Sequence, residues 1–141
     1  MTATIGLGVV EEGRNRAGYE RLVIWRNAYM LRRRIYEITK RFSKTEMRRV
    51  AQMCDAARSV KQNIQEGYAR GSLREYVQAL RISRGSLNEL DGDIQDCLDD
   101  DLISQEEFSE LDVLIGRTKY LFRRLLTALE KPDVVQRWQK R

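Results

Sequence analysis

The feature that most limits what this chain can fold into is an apolar residue at every third or fourth position. The pattern holds through four long stretches separated by three short breaks. Such spacing lines one side of an α-helix with core residues. The first stretch, about residues 19–41, leads through Ala28, Leu31, Ile35 and Ile38 to Phe42, with Leu22, Trp25 and Tyr29 widening its start. The second, about 44–68, holds Met47, Val50, Cys54, Ala57, Ile64 and Tyr68, with Lys61 as one basic intruder. The third, about 73–98, runs Leu73, Tyr76, Leu80, Ser83, Leu87, Leu90, Ile94, Cys97. The fourth, about 105–131, runs Phe108, Leu111, Ile115, Thr118, Phe122, Leu125, Leu129.

The breaks carry start and stop signals of their own. Ser43-Lys44-Thr45-Glu46, Ser72-Leu73-Arg74-Glu75 and Ser104-Gln105-Glu106-Glu107 each spell a capping box, in which the serine oxygen takes an N3 amide and the glutamate reaches back. Gly71 is placed to end the second helix and Pro132 the fourth. Connections this short force neighbouring helices antiparallel, so the expected fold is all-α, an up-down-up-down four-helix bundle. Its helices would each span about 35–40 Å at 1.5 Å per residue. Residues 1–18 read as a flexible lead, 19–131 as the bundle, and 132–141 as a tail whose Val134, Val135 and Trp138 either dock or stay loose. The fourth helix also adds Leu114, Leu121, Leu126 and Ala128 beside its stripe, a face wide enough for ordinary burial or for a second subunit. Gly85, inside the third helix, costs about 1 kcal/mol against Ala, which a close helix approach would offset.

Composition then removes most chemistries. With 141 residues and no histidine, the chain is one domain without Ser-His, Cys-His or His-ligated metal chemistry. Cys54 and Cys97 lie outside any CxxC spacing and read as small buried hydrophobes rather than a disulfide framework. The acidic run Asp91, Asp93, Asp96, Asp99, Asp100, Asp101 offers no calcium-loop frame, and Glu106 and Glu107 sit at a helix start, where capping explains them. No glycine-rich phosphate loop occurs. The expectation is a non-enzymatic chain with no cofactor and no metal. No apolar run approaches the roughly 20 residues of a membrane span. Ile5–Val10 lacks the charged flank of a signal peptide, so a cytoplasmic protein without a membrane partner is expected.

Charge is the informative property. Residues 14–84 hold 18 basic and 6 acidic side chains, 85–116 hold no basic and 11 acidic, and 117–141 hold 8 basic and 2 acidic. Arg26, Arg33 and Lys40 recur every seven residues and so line one side of the first helix, with Arg34 and Arg41 beside them. Arg74 and Arg81 repeat this on the third helix, and Arg117, Arg124 and Lys131 on the fourth. Arg48, Arg49, Arg58, Lys61 and Arg70 belong to the second helix and its exit. Few acids stand at i±4 to neutralise these arginines. Arginine suits phosphate contact, so the expected partner is RNA or DNA, bound with little sequence specificity. The residues nominated are Arg26, Arg33, Arg34, Arg41, Arg48, Arg49, Arg74 and Arg81. The alternative is a protein–protein scaffold, in which the acidic stretch engages a basic face of another copy.

Segment 56–71, AARSVKQNIQEGYARG, with Arg84-Gly85-Ser86-Leu87-Asn88-Glu89-Leu90, resembles the family of proteins encoded in 23S rRNA intervening sequences. Leu22–Arg26 and Ile35-Tyr36 are similar to that family's first helix, while Ser43, Asp55 and Lys61 depart from its pattern. The resemblance covers about residues 19–130. It implies a bacterial four-helix subunit that forms ring-like homopentamers with a basic surface. It also implies kinship to the accessory proteins of diversity-generating retroelements, which bind nucleic acid and a reverse transcriptase. The matching positions are Asn63, Glu66, Gly67, Arg84, Gly85, Ser86, Glu89 and Leu90. They are expected to be mainly structural, a polar contact between the second and third helices with close packing at Gly85.

Overall fold

The computed structural model describes residues 22–139, and within them the chain is helical without a strand. The helices are α1 (Val23–Thr39), α2 (Met47–Ala69), α3 (Leu73–Asp99), α4 (Gln105–Leu129) and α5 (Pro132–Gln139), with a 3₁₀ turn at Lys44–Glu46. The expected lead, and residues 19–21 of the expected first helix, lie outside the described residues.

The apolar stripes meet in one core. Leu31 and Ile35 of α1, Val60 and Ile64 of α2, Leu80, Leu87 and Leu90 of α3, and Phe122 of α4 are wholly buried. Two rows depart from the expected stripes. Helix α2 buries Met53, Ala56 and Val60 beside Ala57 and Ile64, leaving Met47 exposed and Val50, Cys54, Lys61 and Tyr68 half-buried. Along α4 the inward row shifts at its end, so that Leu126 is buried and Leu125 only half-buried. Helices α1 and α2, α2 and α3, and α3 and α4 pack as neighbours, α4 returns onto α1, and α5 rests on α3 and α4. The α2–α3 contact is the most extensive. Partner numbers rise on one helix as they fall on the next. Thr39 Oγ1 lies 3.6 Å from Cys54 Sγ, whereas Trp25 Nε1 donates to Gln65 Oε1 at 3.1 Å. Likewise Met53 meets Cys97 and Val60 meets Ser83.

Besides Lys61 the stripes hold two polar positions, and both hydroxyls donate to backbone carbonyls. Ser83 Oγ donates to the Val60 carbonyl at 2.5 Å, and Thr118 Oγ1 to the Leu114 carbonyl at 2.7 Å. The buried hydroxyl of Tyr76 has no partner among the described residues. Burial, with Tyr68 nearby, pushes its pKa up to about 12.

The three capping boxes have three different outcomes. At α4 the box is complete: Ser104 Oγ accepts from the Glu107 amide at 3.1 Å and Glu107 Oε1 from the Ser104 amide at 2.9 Å. At α3 it is half made. Ser72 Oγ accepts from the Glu75 amide at 3.2 Å, but the Glu75 carboxylate accepts from Arg70 instead. At Ser43 it is absent, a correction to the sequence expectation. Ser43 shares a 2.6 Å hydrogen bond with Thr45 Oγ1, Glu46 accepts from Arg49, and the chain makes a 3₁₀ turn before α2 starts at Met47. A second hydroxyl two residues on, and a cation three residues beyond Glu46, outcompete the box.

Two further expectations change. Gly85 is exposed, and a Cβ there would meet nothing within 4 Å. The close approach is at Gly67 instead, where a Cβ would collide with the Cβ of Ala79 and lie 3.5 Å from the Tyr76 Cα. Gly71 does end α2, at φ +78°, in the left-handed region that glycine enters freely. Pro132 both follows α4 and opens α5, a first-turn position where its missing N–H is no loss. The tail is therefore docked: Trp138 stacks on Tyr76 at 5.7 Å between ring centroids, and its Nε1 donates to the Gly71 carbonyl at 2.9 Å.

Candidate nucleic-acid interface

The eight nominated arginines do not form one free surface. Arg34 holds Glu110 of α4 through two hydrogen bonds of 2.6 and 2.9 Å. Arg41 grips both oxygens of Glu107 and also donates to the Leu102 carbonyl at 3.2 Å. Arg49 bridges Glu46 and Asp100, both at 2.9 Å. Arg81 stands 3.9 Å from Glu130, a loose pair between two exposed side chains. These carboxylates belong mostly to other helices, so a search at i±4 along one helix could not find them. The hydrogen bond to Glu110 raises the pKa of Arg34, and that to Glu107 raises the pKa of Arg41. Conversely, Arg41, helped by the Ser104 amide, pulls the Glu107 carboxyl down to about 2.

The others are less engaged. Arg33 is exposed and donates to the Tyr29 hydroxyl at 3.4 Å. Arg48 and Arg74 are exposed and have no carboxylate partner among the described residues. Arg26 is half-buried near the start of α1.

The concentration of unneutralised charge lies in the seam between α1 and α2. Lys61 donates to Gln65 Oε1 at 3.2 Å and to Gln62 Oε1 at 3.4 Å, and the same Gln65 oxygen accepts from Trp25. Trp25 in turn stacks on Tyr29 at 5.3 Å. Burial, and then repulsion from Arg32 and Arg58, pull the Lys61 ammonium below its ordinary pKa. None of these three cations forms an ion pair among the described residues. Beyond them along α1, Tyr36 is 52% exposed, with the Lys40 ammonium 4.9 Å from its ring centre. Arg32, Arg58 and Lys61 were not among the nominated site residues. The available signal was Lys61 itself, since a basic residue within an apolar stripe marks where the helix faces a wet seam.

A second cationic face lies on α4, where Tyr120 carries the guanidiniums of Arg123 and Arg124 at 5.5 and 5.7 Å from its ring centre. By contrast, Lys119 is occupied by Asp91 at 2.5 Å. Among the described residues no cluster of three metal-ligating side chains occurs, and no helix is long and apolar enough to cross a membrane.

The chain's sequence matches the family model of the 23S rRNA-intervening sequence protein over residues 20–123. The chain belongs to that family. No individual curated protein matches it. The match to the intervening-sequence family takes in α1 to α3 and most of α4, and ends before α5.

Of the intervening-sequence motif residues, Asn63, Gly67 and Ser86 lie at the α2–α3 seam. Asn63 Nδ2 donates to the carbonyl and hydroxyl oxygens of Ser59 at 2.9 and 3.0 Å, and Ser59 shares a 2.8 Å bond with Ser86. Gly67 permits the close approach and Leu90 is buried in the core. Glu66, Arg84, Gly85 and Glu89 are exposed. The predicted polar contact between the two helices thus runs through Ser59, a residue that the motif reading did not single out.

Proposed function

We propose that this member of the intervening-sequence family is a non-enzymatic, homo-oligomeric protein that binds nucleic acid through phosphate contacts, with little sequence specificity. The observation that carries this reading is Lys61, half-buried and flanked by Arg32 and Arg58 with no carboxylate among them. Cations held together repel one another, and a phosphate chain relieves that repulsion while releasing its own counterions. The opposite order of partner residues along successive helices supports an antiparallel up-down-up-down bundle. Exposed Met47, Ile82 and Val113 support assembly with further copies, which the family resemblance would make a cytoplasmic ring of five.

The test is solution mass with and without RNA at two salt concentrations, for the parent chain and for Arg32→Gln/Arg58→Gln/Lys61→Gln. The parent gains RNA mass at low salt. The triple variant loses affinity, and its salt slope falls by about 0.7 for each single-strand contact removed. A parent chain that ignores RNA at low salt would overturn this function and favour a scaffold or accessory subunit for an enzyme such as a reverse transcriptase.

A further inference from the structure

The cationic seam differs from a plain phosphate track in that it interleaves charge with tyrosine. Around α1, Tyr36 falls between Arg32 and Arg33 in angular position, and Tyr29 lies two turns earlier, about 10.5 Å along the axis. Tyr29 already has a ring face against Trp25 and its hydroxyl beside Arg33. Tyr36 is the open one. The residue is about half exposed, and its one ring contact among the described residues is the Lys40 ammonium, which also pairs with Glu37 at 3.3 Å. A duplex buries its base faces and would leave such a ring unused. A strand with unpaired bases can lay a base on the ring and its phosphates along the neighbouring cations, the arrangement that binds single strands without sequence readout.

We propose that the α1–α2 seam takes single-stranded nucleic acid, with Tyr36 the platform for an unpaired base and Arg32, Arg33, Arg58 and Lys61 following the phosphates. This rests on the nucleic-acid reading above and narrows its substrate class. Tyr120 of α4 is comparably exposed, at 46%, but two guanidiniums of its own helix cover its ring, so it serves as the control.

The experiment is fluorescence anisotropy of the full chain with labelled oligouridylate and oligothymidylate about 16 nucleotides long, and with an RNA duplex of equal length. Single strands are expected to bind at least about tenfold more tightly than the duplex. Tyr36→Leu should lower single-strand affinity about 5- to 150-fold, the range of one base–aromatic stack, with salt slope and duplex affinity unchanged. Tyr36→Phe should retain the parent's affinity and Tyr120→Leu should leave it unchanged, with circular dichroism confirming the fold of each variant. Duplex binding as tight as single-strand binding overturns the proposal while leaving the phosphate reading intact. A silent Tyr36→Leu, or an equal loss from Tyr120→Leu, also overturns it. Failure to bind any of the three probes overturns both readings together.

Discussion

Helix α2 has two flanks that are built in opposite ways. Toward α3 it presents small residues: Gly67 admits Ala79, Ser59 meets Ser86, and the Val60 carbonyl accepts from Ser83. Toward α1 it presents long ones, with Lys61, Gln62 and Gln65 tied to Trp25 by side-chain tips. Small residues let backbones approach and satisfy their polar groups locally, which makes that flank a structural joint. Long polar side chains hold the helices apart and leave charge at the surface. The motif's Asn63, Gly67 and Ser86 lie on the first flank, whereas the chemistry that could recognise a polyanion lies on the second.

The largest expected effect comes from breaking that division on the charged side. Arg32→Glu/Arg58→Glu/Lys61→Glu should reduce RNA affinity on the order of 100-fold or more in anisotropy titrations. Its urea midpoint should move far less than its affinity, because none of the three cations pairs with an acid among the described residues and only the Lys61 bonds to Gln62 and Gln65 are lost. On the other flank the pattern reverses. Gly67→Ala drives a Cβ into Ala79 and should cost about 1–3 kcal/mol in urea unfolding, with RNA affinity intact. Gly85→Ala, made in a helix interior with open space around it, should stabilise by about 0.5–1 kcal/mol. Opposite signs at these two family-motif glycines would establish that the close approach of the joint is at Gly67 and not at Gly85.

Much of the joint was legible in sequence, because periodicity reports what lies inward. The stripes of α1 and α3 appear in the core nearly as spaced and that of α4 up to its last turns, whereas α2 turns Met53, Ala56 and Val60 inward beside Ala57 and Ile64 and leaves Met47 exposed. Gly71 and Ser104 act as their positions suggest. The charged flank was harder to read. Whether an arginine is free depends on acids far away in sequence, as with Arg34 and Glu110 or Arg41 and Glu107. The same limit applies to Gly85, since a helix position does not state which neighbour approaches. It applies also to α5, whose Trp138 finds Tyr76 only once α3 and α4 are packed.

A third region sharpens the comparison, the α1–α4 edge where cations are clamped rather than free. Glu107, held down to about 2 by Arg41 and the Ser104 amide, has a folded pKa below its ordinary 4.5. It therefore contributes stability that is complete above about pH 4.5 and is lost as pH falls toward 2. Because Arg41 is about half exposed, with 49% of its side chain open to solvent, screening reduces that contribution to about 1 kcal/mol. Glu107→Gln should accordingly flatten the acid limb of a stability-against-pH curve and lower stability near neutral pH by that amount. RNA affinity should not fall, since the clamped arginine was never part of the open seam.

The smallest effects should rank the three serines by what their side chains do. Ser104→Ala removes a complete box at the clamped edge and should cost about 1 kcal/mol, because the α4 amide loses its acceptor and Glu107 loses part of its positioning. Ser72→Ala removes a single bond, from the Glu75 amide at the start of α3, and should cost about half as much. Ser43→Ala, beside the charged flank, should change unfolding by less than about 0.3 kcal/mol, because its hydroxyl bonds Thr45 and caps no amide. Equal losses at all three would mean that the box at α2 forms in solution. That would draw Glu46 away from Arg49 and leave the guanidinium on Asp100 alone, so urea midpoints of these three variants also test how firmly that cation is clamped.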